Sequence, residues 1–136
     1  MSDTKSDVRT VTIERDFPYP AAKIWRALTE PHLLSEWLMK SDFAPVVGHH
    51  FQFSADWGSV DCTVEIVEPN VTLAYTWNAY GLESVVTWTL TETADGTRLR
   101  MEQTGFRPDQ EQAFQGAKAG WPRFLANLER VLAETA

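Results

Sequence analysis

Over the last quarter of the chain, apolar residues recur at helical spacing: Ala113, Ala117, Gly120, Trp121, Phe124, Leu125, Leu128, Val131 and Leu132 share one face. The spacing predicts one amphipathic helix of about 25 residues, roughly 38 Å long at the standard rise. Its centre reads Gly120-Trp121-Pro122. A proline inside a helix removes one hydrogen bond and crowds the carbonyl four residues back, here that of Lys118, so a kink or a restart is expected. The smallest and the largest residue lie side by side on or near the apolar face, and such a face seals a sheet imperfectly.

Upstream the period shortens to two. Val11, Ile13 and Phe17 alternate with Thr10, Thr12 and Glu14, which predicts a first strand over 8–17, ended by Pro18 and Pro20. Two short helices follow, one placing Ile24, Trp25 and Leu28 on one side and one running from His32 to Trp37 behind Pro31, a residue favoured in a first turn. After a loop holding Pro45 and Gly48, alternation resumes in about five segments. These are His49-Phe51-Phe53-Ala55, Val60-Cys62-Val64-Ile66, Leu73-Tyr75-Trp77, Val86-Trp88-Leu90 and Leu99-Met101-Gln103. Trp57-Gly58, Pro69-Asn70 and Asp95-Gly96 supply turn chemistry between them, the last with the signature of a tight hairpin. Asp109 reads as a cap or first-turn acid of the final helix. Segregated strands and helices predict an α+β fold with an antiparallel sheet.

Length and composition narrow the picture. A chain of 136 residues fits one domain, taken here as 8–136, with the polar and aperiodic 1–7 as a disordered tail. The net charge of −7, with no dense Lys/Arg run, argues against nucleic acid and anionic membrane as partners. One cysteine, Cys62, rules out an internal disulfide and a cysteine zinc cluster, and it suits a reducing, cytoplasmic setting. No apolar run approaches the length needed to insert in a membrane.

The order and spacing of several short motifs resemble a known family. Phe17-Pro18-x-Pro20-Ala21-x-x-Ile24-Trp25-x-Ala27-Leu28-Thr29-x-Pro31-x-Leu33-x-x-x-Trp37 is similar to the opening signature of the START and birch-pollen-allergen superfamily. Within it the chain resembles the branch named after the C-terminal domain of the activator of heat shock protein 90 ATPase. Gly48-x-x-Phe51-x-Phe53, Glu68-Pro69-x-x-x-Leu73-x-Tyr75-x-Trp77, Val86-Thr87-Trp88-x-Leu90, Gly96-Thr97-x-Leu99 and Gly120-Trp121 agree with it. The resemblance implies a helix-grip fold, a curved antiparallel sheet wrapped around the long C-terminal helix, with an apolar cavity between them. Family members use that cavity for lipids, sterols, polyketides or other aromatic ligands, and some act as cyclases or hydrolases.

On that footing Trp37, Phe51, Phe53, Trp77, Trp88, Met101, Gln103, Trp121 and Phe124 are the candidate ligand lining. The aromatic members either wall a cavity or fill a core. Gln103 either orients a ligand or ends its strand in solvent, and Arg15, in the phase of Ile13 and Phe17, either does the same or pairs with a neighbouring acid. His49 and His50 point to opposite strand faces and His32 is distant, so neither a metal site nor an imidazole base is expected. Asp56, Asp61, Glu65 and Glu83 read as solvated, and Cys62 as a buried inert thiol. No catalytic residue is assigned and no cofactor is called for. The expected function is binding of a small hydrophobic molecule, lipid-like or aromatic. A chaperone-directed interaction module and, ranked lower, a polyketide cyclase or hydrolase are the alternatives, and the sequence is silent on oligomeric state.

Overall fold

Both periodicities are realised in a computed structural model of the chain, which describes residues 8–135. β1 (Arg9–Phe17) precedes α1 (Ala21–Thr29) and α2 (Pro31–Trp37). A short β2 (Lys40–Ser41) then leads to β3 (His50–Ala55), β4 (Gly58–Glu68), β5 (Thr72–Ala79), β6 (Leu82–Glu92) and β7 (Thr97–Phe106). One 3-10 turn, Pro108–Gln110, hands over to α3 (Glu111–Glu134). The stretch expected to be a disordered tail, 1–7, lies outside the described residues.

The strands form one antiparallel sheet in the order β1-β7-β6-β5-β4-β3-β2. Only β1 leaves sequence order, pairing with β7 across the whole chain. The curved sheet, α3 and the two short helices make an α+β helix-grip fold. α3 presses Trp121, Leu125, Leu128, Val131 and Leu132 into the core, where the inward residues of the sheet receive them.

Four local expectations change. The helix restart at Pro122 does not occur: α3 is one helix of 24 residues, roughly 36 Å long, and the proline sits inside it. Asp109 falls in the 3-10 turn, where Arg107 Nε donates to it at 3.3 Å, and it does not cap α3. The two-residue β2, too short to show alternation, adds an edge strand beside β3 where a loop was expected. Ile66, expected inward, is exposed. The ladder between β4 and β5 shifts register between Val64 and Ile66, and this bulge turns Ile66 out while Val67 packs against the core.

The β6–β7 hairpin also departs from the Asp-Gly pattern. Thr93 N–H donates to the Gly96 carbonyl at 2.9 Å, so the turn is centred on Ala94 and Asp95. Gly96 instead allows a close approach: a Cβ there would overlap the Phe17 carbonyl oxygen and crowd Pro18 and Tyr19. Next to it, Thr97 Oγ1 donates to the Tyr19 carbonyl at 2.8 Å and ties the hairpin to the end of β1. Gly96→Ala is expected to lower stability by about 1–3 kcal/mol, the usual range for overpacking. Urea denaturation checks this, and an unchanged midpoint would show that the two backbones separate freely.

Candidate functional site

The site grows from an irregularity in β7. Thr97, Leu99, Met101 and Gln103 face inward by simple alternation, and then Gly105, at φ +127°, breaks the phase. The ladder with β1 shifts register at the same point, between Arg9 and Thr10. Phe106 is thereby buried although it lies three residues after Gln103. A Cβ at position 105 would overlap the Glu83 carbonyl oxygen, so the bulge depends on glycine.

Gln103 is 2 % exposed, and a buried amide needs partners. Trp121 Nε1 donates to its Oε1 at 2.8 Å, and its Nε2 donates to Ser84 Oγ at 3.0 Å. Ser84 Oγ in turn donates to the Trp77 carbonyl at 2.7 Å. An indole nitrogen only donates, so the atom facing it must be the amide oxygen, which fixes the direction of every proton in the chain. The alternative that Gln103 ends its strand in solvent is therefore overturned. The relay fastens the middle of α3 to β7, β6 and β5, and it orients Trp121.

Beside this relay lies a cavity of about 180 Å³. Trp77, Leu82, Gln103 and Phe106 form its sheet side, with Met39 from the segment after α2. The helix side is Ala113, Gly116, Ala117 and Gly120, followed by Trp121 and Phe124. The helix therefore contributes four residues with little or no side chain, then two large rings. Trp57, 56 % exposed at the β3–β4 turn, forms the rim. Tyr80, 79 % exposed at the β5–β6 turn, donates from its hydroxyl to the Trp57 carbonyl at 2.8 Å and ties the two hairpin tips together. No lining side chain is titratable.

The structure thus brings Trp77, Gln103, Trp121 and Phe124 together around the cavity. It places Trp37, Phe51, Phe53, Trp88 and Met101 in closed packing outside its lining. Trp37 donates to the Ala27 carbonyl and meets Trp88 edge-on at 5.7 Å. Phe51 and Phe53 pack on each other and on Tyr75. Trp88 donates to Tyr75 Oη at 2.9 Å, and Met101 is completely enclosed. Met39, Trp57, Leu82, Phe106 and the small residues of α3 were not among the sequence candidates for the lining. The spacing of Ala113, Gly116, Ala117 and Gly120 on one helical face is the signal that would have found the last group.

The remaining titratable groups lie elsewhere. Arg15 is partly buried on the inward phase of β1 and, among the described residues, forms no ion pair. His49 stacks on Phe51 at 6.0 Å with Nε2 at 3.0 Å from the Asp42 carbonyl, while His50 Nδ1 meets Thr63 Oγ1 at 3.0 Å. Asp56, Asp61, Glu65 and Glu83 are exposed. Burial, with the charge of Asp61, pushes the Cys62 thiol up to about 12, so it stays protonated at neutral pH. Among the described residues no group of three or more His, Cys, Asp or Glu side chains is placed to hold a metal ion. No described helix is long and apolar enough to cross a membrane.

Comparison with known proteins agrees with this geometry. The family model described as Activator of Hsp90 ATPase homolog 1-like protein matches residues 18–133. Among solved structures, protein MLL2253 from Mesorhizobium loti is 58% identical with a TM-score of 0.92, the match covering 94% of this chain and 99% of that one. DynU16, a protein in the dynemicin biosynthetic locus, is 30% identical with a TM-score of 0.82 over 91% of this chain and 47% of its own. CalU16 from Micromonospora echinospora, at 24% identity and a TM-score of 0.81, covers 92% of this chain and 76% of its own and shares the fold. No curated protein matches the chain.

Proposed function

Because the chain belongs to the family of Activator of Hsp90 ATPase homolog 1-like proteins, we propose that it binds a small apolar molecule between sheet and helix. The observation that carries this reading is the cavity of about 180 Å³, walled by Trp77, Phe106, Trp121 and Phe124 and bordered along α3 by residues without bulk. A space of about 150 Å³ lined by apolar side chains holds a benzene ring, and larger ligand sites run to several hundred. The volume here therefore fits one ring or a short acyl group, with anything longer running out past Trp57. Burying about 200 Å² of such a ligand contributes about 5 kcal/mol, which sets dissociation constants on the order of 0.1 mM or weaker for a ring alone.

A chaperone partner is the other reading that the family description offers. It calls for an exposed docking face, whereas of the two most exposed aromatic residues Trp57 lines the cavity and Tyr80 is bonded to the Trp57 carbonyl. DynU16, whose setting is a biosynthetic locus, also favours small-molecule chemistry. A reducing, cytoplasmic setting suits the lone thiol of Cys62 and belongs to the same proposal.

Thermal unfolding in the presence of ring-sized aromatic compounds tests the reading. Ligand at tenfold over its dissociation constant adds about 1.4 kcal/mol to the folded state. A saturable rise in Tm, with a matching change in tryptophan emission, is expected. If no ring-sized compound at millimolar concentration moves either signal, the proposal fails.

A further inference from the structure

Resting on that reading of the cavity, we infer that the part of the ligand held inside is uncharged and offers a hydrogen-bond acceptor to Trp77 and Gln103, as an aryl ketone, ester or lactone does. The absence of charge follows from the lining, which holds no titratable side chain. An ionised group carried into such a space loses its water and gains no counter-charge, a loss that pairing alone offsets. The net charge of −7 disfavours an anion further.

The demand for an acceptor follows from the relay. Gln103 Nε2 carries two N–H donors, and Ser84 takes one of them. The other has no acceptor among the described residues. Trp77 supplies a second. The indoles of Trp37, Trp88 and Trp121 donate to Ala27, Tyr75 and Gln103, whereas those of Trp25, Trp57 and Trp77 donate to none of the described residues, and of these three Trp57 and Trp77 line the cavity. Among the described residues, every fully buried polar side-chain atom is partnered, so the indole nitrogen of Trp77 is one that water reaches. Spare donors therefore belong to Gln103 and Trp77 on the sheet wall, with that of Trp57 at the exposed rim. The Gln103 oxygen keeps one free lone pair, but a carbonyl with one bond is tolerated where an orphan N–H is not.

Binding of 4-fluoroacetophenone, 4-fluorocumene and 4-fluorobenzoate to the full chain, followed by fluorine NMR, tests the inference in wild type and in Trp77→Phe. The substitution keeps an aromatic wall, removes the donor and shortens the ring, and the hydrocarbon probe registers the loss of ring contact by itself. It is expected to weaken the ketone about five- to tenfold, the worth of one hydrogen bond, and to leave the hydrocarbon within about twofold. Benzoate is expected to bind at least about tenfold more weakly than the ketone, since its charge has no partner. Equal losses for ketone and hydrocarbon in Trp77→Phe, no loss for the ketone, or benzoate as tight as the ketone would each overturn the inference while leaving the cavity a ligand site. If none of the three binds wild type, the ligand-site reading falls and takes this inference with it.

Discussion

Trp88→Ala is expected to lower the free energy of unfolding by about 3–5 kcal/mol, the range for removing a large aromatic side chain from a closed core. Trp88 is completely buried in β6 and meets Trp37 edge-on at 5.7 Å and Trp121 edge-on at 5.6 Å. Its truncation deletes both ring contacts and leaves a space between three strands and α3 that neighbouring indoles are too rigid to fill. It also strips the Tyr75 hydroxyl of its donor at 2.9 Å, and that hydroxyl is buried deeply enough for desolvation to push its ionisation far above the ordinary tyrosine range. A domain of this size typically has about 5–15 kcal/mol in hand, so the variant stands near the edge of folding. Urea denaturation with an unchanged slope and a lowered midpoint is the expected record. A loss under about 1.5 kcal/mol would mean that Trp88 borders open space and belongs with the ligand wall after all.

That contrast between wall and core marks where the sequence stops being informative. Alternation along β3, β5, β6 and β7 puts Phe51, Phe53, Trp77, Trp88 and Met101 on the inward face, and the structure agrees. Alternation reports a face, though, and says nothing of depth. Trp77 and Trp88 carry the same residue type in the same phase of adjacent strands, yet one meets the cavity and the other is sealed. The difference lies in what α3 sets opposite each, and that depends on pairings distant in the chain. Bulges are the second source of error, because one extra residue reverses every later phase. The bulge near Ile66 turned an expected core residue outward, and the one at Gly105 turned Phe106 inward. Family resemblance supplied the helix-grip fold and the location between sheet and helix. The relay through Gln103 and Ser84 was not legible, since Ser84 lies before the alternating stretch that identified its strand.

Filling the helix side of the cavity should separate binding from stability in opposite directions. Gly116 and Gly120 sit inside α3, where a glycine weakens a helix by about 1 kcal/mol relative to alanine. A Cβ added at either would meet nothing within 4 Å, so no steric reason requires glycine there. Gly120→Ala is therefore expected to raise stability by about 0.5–1 kcal/mol. Gly120→Leu carries a larger side chain into a space of about 180 Å³, directly beside Trp121 and opposite Phe106 and Trp77. It should keep wild-type stability or better and lose ring-sized aromatic ligands altogether, a drop of more than about tenfold in affinity, or about 1.4 kcal/mol. Gly116→Leu, one helical turn away on the same wall, repeats the test should position 120 prove awkward for a branched side chain. Glycines that cost a helix stability and leave a cavity open are what a binding site predicts, because function and stability then draw on the same residues. Leucine variants that bind the probes as wild type does would place the ligand elsewhere and leave the two glycines without a role.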